Sequence, residues 1–120
     1  MTRSAVTRNV LRRDRQVRNW ALDAGEAIKV LLSGETVSLR PYGQSMTPRV
    51  ESGQLVTLRP LRADEPAVGD VVLVRVGGKV YLHLVRAVDG GVVLIGNNRG
   101  HLNGWTIRSE VFGKLVEEMT

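Results

Sequence analysis

Between positions 71 and 88 the chain reads Val71-Val72-Leu73-Val74-Arg75-Val76, then Gly77-Gly78, then ten residues from Lys79 to Val88. This is the strongest hairpin signal in the sequence. Two adjacent glycines supply the positive φ angles of a two-residue turn at no steric cost. The strand before them is almost continuously apolar, the pattern of a strand buried on both faces. On the return strand, alternation puts Lys79, Tyr81, His83 and Val85 on one face. Val80, Leu82, Leu84 and Arg86 fall on the other.

The flanking sequence extends the same theme. Thr36 to Arg40 alternates, and Leu55 to Leu58 follows a turn at Gly53. Asp89-Gly90-Gly91 turns the chain into Val92-Val93-Leu94-Ile95. Gly96 to Gly100 is a loop, and a last strand is expected near Glu110 to Val116. Short strands with frequent turns predict an antiparallel barrel or sandwich-like β domain. One helix is expected ahead of them. From Asn19 to Leu32, Trp20, Ala21, Ala24, Ala27, Ile28, Leu31 and Leu32 recur at helical spacing, and Gly34 is a natural stop. A repressor-type DNA-binding head needs at least two helices, and only this one precedes the β region.

The chain has 120 residues, enough for one domain that buries roughly two-thirds of its unfolded surface. It has no cysteine, which excludes disulfides, thiol chemistry and a cysteine-based zinc site. Two histidines, His83 and His101, are too few for a histidine-rich metal cage. No cofactor and no metal are expected. No apolar run approaches the roughly 18 residues of a membrane span, and no secretory signal is present. The expectation is a soluble cytoplasmic protein. Residues 1–20 carry six arginines against Asp14, while the remaining hundred residues balance at 11 basic and 11 acidic side chains. The net charge of +5 therefore resides in the N-terminal segment. Residues 1–18 are expected to form a basic, flexible arm able to touch nucleic acid or another anionic surface. Residues 19–120 form the domain, with the helix at about 19–33 and the β region at about 36–117.

One hydroxyl stands out chemically. Gly43-Gln44-Ser45-Met46-Thr47-Pro48 sets Ser45 among small and turn-forming residues just ahead of the β region. A serine becomes a nucleophile only when a neighbouring base takes its proton. The candidate bases are His83, His101, Lys29, Lys79 and Lys114. A histidine inside a strand between Leu82 and Leu84 faces a cleft or the core, and its ordinary pKa near 6.5 suits a general base at neutral pH. Lys79 shares that face but lies beside the turn, and His101 reads as a surface residue in a Gly/Asn loop.

The order of these pieces resembles the signal peptidase and SOS-repressor (LexA-like) superfamily of serine peptidases. The resemblance is carried by Gly43 to Pro48, Val68-Gly69-Asp70-Val71-Val72, Tyr81 to Val85, Gly96-Asn97-Asn98 and Glu110 to Val116, and covers about residues 36–117. It implies coiled antiparallel sheets in a partial barrel and a Ser-base dyad. Ser45 falls on the nucleophile. His83 falls where bacterial signal peptidases and self-cleaving repressors carry lysine and where the archaeal and endoplasmic-reticulum enzymes carry histidine. The Ser45–His83 pair therefore resembles the Ser-His type, here without a membrane anchor. The resemblance also implies an oxyanion hole using the Ser45 backbone N–H, with Gly43, Gln44, Met46 and Pro48 shaping the site loop. Asp70 resembles a structural acid that ties a strand end.

This sequence also departs from the pattern. The usual Gly-Asp-Asn after the third strand is Gly96-Asn97-Asn98, and no carboxylate follows up to Asn103. Asn97 or Asn103 is then the candidate for orienting the imidazole, as amides do in Cys-His-Asn proteases. The Gly-Asp after the nucleophile box is Gly53-Gln54, and the arginine after the base is Leu84. The expectation is a serine endopeptidase acting on an extended peptide. The alternatives are a non-catalytic peptide-binding relative and a self-cleaving regulator, whose candidate scission pair upstream of Ser45 is Ala24-Gly25.

Overall fold

A computed structural model describes residues 15–17, 20–42, 46 and 50–116. A three-residue strand, β1 (Arg15–Val17), is followed by one helix, α1 (Trp20–Leu32). Then come β2 (Val37–Leu39), β3 (Val56–Arg59), β4 (Val71–Val76), β5 (Lys79–Asp89), β6 (Val92–Gly96) and β7 (Leu102–Ile107). A single 3-10 turn at Arg108–Glu110 leads into β8 (Val111–Leu115). The strands form one sheet in the order β1-β2-β3-β8-β4-β5-β6-β7, which does not close on itself. Every pairing is antiparallel except β1 with β2. The expected class, mainly antiparallel β with one helix near the N-terminus, is the observed one.

The β4–β5 hairpin is built as its sequence dictates. Gly77 and Gly78 take φ of +57° and +83°, and the register runs from Val76↔Lys79 to Val71↔Leu84. Both faces of β4 are buried, each in its own core. On the α1 side, Val71 and Leu73 pack with Leu82, Leu84, Leu39, Leu58 and Phe112. On the far side, Val72, Val74 and Val76 pack with Val85, Val93 and Ile95. Full burial of side chains of this size stabilises by about 1.5–3 kcal/mol each.

The helix caps one face. Ala27, Ile28, Val30 and Leu31 are buried, whereas Leu32, expected on the apolar stripe, is 69% exposed. Val30 takes its place because i, i+1, i+3 and i+4 form one side of a 3.6-residue turn. The helix ends in a Schellman arrangement. Gly34 has φ of +93°, Glu35 N donates to Val30 O at 3.2 Å, and Gly34 N donates to Leu31 O at 3.0 Å. α1 comes so close to β8 that a Cβ on Gly113 would lie 2.8 Å from Leu31 Cδ2 and 2.6 Å from Arg59 O.

Two differences from the sequence reading concern strands. Arg15–Val17, inside the segment read as an arm, pairs with β2 in the register Arg15↔Val37 to Val17↔Leu39. β7 occupies a stretch read as loop and connection. Its Asn103-Gly104 resembles turn punctuation, but the backbone is held in the sheet by β6, from Val92↔Ile107 to Gly96↔Leu102.

A polar network ties the other end of the sheet. Arg59 on β3 makes a two-pronged contact with Glu65, at 2.9 and 2.7 Å. Lys114 on β8 lies 3.6 Å from Glu65 and 2.7 Å from Asp70. Asp70 also accepts from Ala67 N at 2.9 Å, and its carbonyl accepts from Val85 N at 2.9 Å. Asp70 thus fastens the start of β4 to β5 and β8, as a structural acid would. The Arg59 guanidinium, aided by the Arg62 backbone N–H, holds the Glu65 carboxyl down at about 2.

Candidate active site

A cleft of about 500 Å³ lies beside the first half of β5. One wall is β5 itself, with Val80, Tyr81, Leu82 and His83. The opposite wall comes from the segment between β2 and β3, with Pro41, Tyr42, Met46, Val50 and Glu51. His101 and Asn103, from the start of β7 and the turn before it, close one end.

The segment between β2 and β3 is folded back on itself by backbone bonds. Gly53 N donates to Pro41 O at 2.7 Å, and Val50 N donates to Met46 O at 2.8 Å. The Arg40 guanidinium donates to Gly53 O at 2.8 Å. Gly53 takes φ of +80°, which glycine alone adopts without strain. Met46 and Val50, 5% and 3% exposed, anchor this segment in the α1-side core. The cleft wall is therefore fixed to the body of the fold by two buried apolar side chains.

His83 is the only described histidine buried in the fold, at 7% exposure. Its Nδ1 lies 2.7 Å from Asn103 Oδ1. An amide oxygen only accepts, so Nδ1 carries the proton, and Nε2 is the acceptor nitrogen of the neutral ring. Burial pulls the imidazole pKa below its ordinary 6.5, partly offset by the Asn103 bond, which favours the charged form; His101 pushes in the same direction as burial. Burial thus favours the neutral ring, in which Nε2 is the acceptor nitrogen. The Tyr81 ring is stacked on it, with centroids 4.8 Å apart and planes inclined by 24°.

The other expected residues divide cleanly. Asn103 meets His83. Asn97 does not: its Oδ1 accepts from the backbone N–H of Arg99 and His101, at 2.8 and 2.9 Å, and so shapes the β6–β7 turn. Gly96 allows that turn to close, since a Cβ there would sit 2.7 Å from His101 O. Met46 lines the cleft and is buried. Ser45, Gly43, Gln44 and Pro48 lie outside the described residues. Lys79 is exposed at the start of β5, and Lys114 is committed to Asp70. Leu84, which stands where the resemblance expects arginine, is buried in the α1-side core. Gln54, which stands where it expects aspartate, accepts from Glu51 N at 2.8 Å.

Four cleft residues from the segment between β2 and β3 were not singled out in the sequence: Pro41, Tyr42, Val50 and Glu51. His101, read as surface, is exposed but also lines the cleft. Position 81 carried a usable signal, since period-two alternation puts Tyr81 and His83 on one face. The β2–β3 residues carried none, because an irregular segment reaches the cleft only through its turns. Among the described residues no cluster of histidine and carboxylate side chains has the makings of a metal site. No described helix is long and apolar enough to cross a membrane.

The model of one protein family, Peptidase S24-like, matches residues 19–116 of this chain. A comparison with curated proteins returned no match.

Proposed function

The chain belongs to the Peptidase S24-like family, and on that premise we propose that it is a serine endopeptidase working through a Ser45–His83 dyad. The family is one of serine peptidases and self-cleaving regulators, so the substrate is a peptide or protein. The observation that carries the finer reading is the state of His83. It is buried, it is bonded through Nδ1 to Asn103 Oδ1 at 2.7 Å, and it shares a cleft with Met46, the residue next to Ser45 in the chain.

The chemistry follows from that arrangement. Nε2 of the neutral imidazole takes the Ser45 hydroxyl proton as Oγ attacks the scissile carbonyl. The imidazolium, steadied by Asn103, returns the proton to the leaving amine. Water then enters, His83 takes its proton, and the acyl-serine ester is hydrolysed. Backbone N–H donors on the carbonyl oxygen are worth about 10²–10³ in rate. An amide in place of a carboxylate stabilises the imidazolium less, so a modest turnover is expected. Residues 79–83 of β5 pair with β4 on one side, while β6 joins β5 only from Leu84 onward, which leaves an edge that an extended peptide could extend as an added strand. Cleavage of a peptide library by wild type, absent in Ser45→Ala and cut by at least a hundredfold in His83→Ala, supports this reading. Equal cleavage by Ser45→Ala overturns it.

A second reading is favoured by one observation: Nδ1 of His83 meets an amide, Asn103, at the nitrogen that a carboxylate would orient. The chain would then bind extended peptides in the same cleft without cutting them. Tight binding that is identical in wild type and Ser45→Ala, with no turnover in either, selects that reading. Self-cleavage at Ala24-Gly25 fits the structure poorly. That pair lies inside α1, and a helical peptide bond is not presented as an extended substrate.

A further inference from the structure

We infer that Tyr81 is a positioning residue for His83, stacking its ring on the imidazole so as to fix its tilt and favour the imidazolium formed during proton transfer. The inference rests on the reading of His83 as the base. Tyr81 and His83 are two apart on β5, so their side chains leave the same face of the strand. Neighbours of that kind start roughly 6.6 Å apart at two residue rises. Their ring centroids are 4.8 Å apart and their planes inclined by only 24°, so the rings lean together rather than standing side by side.

The Asn103 bond and the Tyr81 stack control different motions of the imidazole. The bond from Nδ1 to Asn103 fixes the in-plane rotation of the imidazole. It does little against tilting of the ring about that bond. A flat ring against one imidazole face opposes the tilt. Tyr81 is itself held: it lies opposite Val74 in the β4–β5 register and packs on the far-side core. Tilt matters because Nε2 must point at a single hydroxyl.

The stack also acts on charge. Burial works against a charged imidazole. The face of a phenol ring is electron-rich and attracts a cation, more strongly where water is excluded. Among the described residues, the other titratable groups near the ring are His101, Glu51 and Tyr42 on the cleft walls, and Lys79 two residues before Tyr81 on the same face. All four are unchanged by substitution at position 81.

The test is a histidine NMR titration of the intact chain, which needs no catalytic activity. Tyr81→Phe keeps the ring, and the His83 pKa stays within about 0.2 of wild type. Tyr81→Leu removes it, and the pKa falls by about half a pH unit or more. Should the leucine variant not fold, phenylalanines carrying one, two and three fluorines at position 81 keep the shape and drain the ring face. The His83 pKa then falls stepwise along the series. The acid limb of Ser45 acylation by a fluorophosphonate moves with it. A His83 pKa that is constant across the fluorine series overturns the inference, as does an acid limb that stays put while the pKa moves. Failure of the dyad itself looks different: a wild-type His83 that titrates normally in a chain whose Ser45 never acylates.

Discussion

His83 and Asn103 meet at 2.7 Å although their strands do not pair: β6 lies between β5 and β7 in the sheet. The sheet curls over its own edge, and the register shifts between Val85 and Ala87 and between Ile95 and Gly96 accommodate that bend. The contact is therefore a product of the fold's curvature, and it sets the imidazole tautomer. Asn103→Ala is expected to lower the acylation rate about tenfold to hundredfold, less than loss of His83, the proposed base, since a general base contributes about 10²–10⁴. Asn103→Asp supplies the carboxylate that the sequence lacks and raises the His83 pKa. Its acid limb moves to higher pH while the plateau rate holds or rises. Stopped-flow acylation across pH 4–9 reads both.

The pH profile of the wild-type chain follows from the sign of the His83 shift. Its pKa is lowered, chiefly by burial, so the base form persists below the ordinary imidazole value of 6.5. Activity is expected to be flat through neutrality and to fall only at a pH below 6.5. A lysine base would give the opposite, with activity climbing through the alkaline range.

Stability has its own two pH windows. For His83 the folded pKa lies below the unfolded one, so the unfolded chain takes the proton first. Stability therefore declines as pH drops below about 6.5 and stops declining once the folded ring is also charged. For Glu65 the folded pKa of about 2 lies below the ordinary 4.5. Its contribution is present in full above about 4.5 and is lost as pH falls towards 2. Urea unfolding at pH 7.5, 5.5 and 3 separates them: His83→Gln removes the first decline and Glu65→Gln the second. Glu65→Gln also leaves the Arg59 guanidinium, 21% exposed, without its carboxylate, and should cost about 2 kcal/mol at neutral pH.

Much of this fold was legible because β4 and β5 are local. A continuous apolar strand, two glycines and an alternating return strand define their own register without help from distant residues. That His83 faces a cleft was legible from its place in an alternating strand between Leu82 and Leu84. What stayed hidden depends on tertiary contact. β7 carries Asn103-Gly104, a pair common in turns, and the sequence reading places no strand there; only pairing with β6 makes it one. β1 is three residues long and too short to show a period. The sequence left Asn97 and Asn103 as equal candidates. The curl of the sheet separates them, turning Asn97 into its own loop and Asn103 towards the imidazole.

The seam between α1 and β8 gives a packing prediction. Gly113→Ala places a Cβ 2.6 Å from the Arg59 carbonyl and 2.8 Å from Leu31. The side chain can shift, but a backbone carbonyl within a sheet moves only with its strand. Overpacking of this kind costs about 1–3 kcal/mol. The melting temperature should drop by about 4–12 °C, on a scale of roughly 4 °C per kcal/mol for a chain between the small and large domain ranges. An unchanged melting temperature would mean that α1 sits farther from β8 than described.

The most direct test of the dyad is acylation by a fluorophosphonate probe followed by peptide mapping. The expected result is one adduct on Ser45, at a rate that falls by at least a hundredfold in His83→Ala and vanishes in Ser45→Ala. Labelling on another residue, or labelling of Ser45 at the same rate in His83→Ala, would contradict the account.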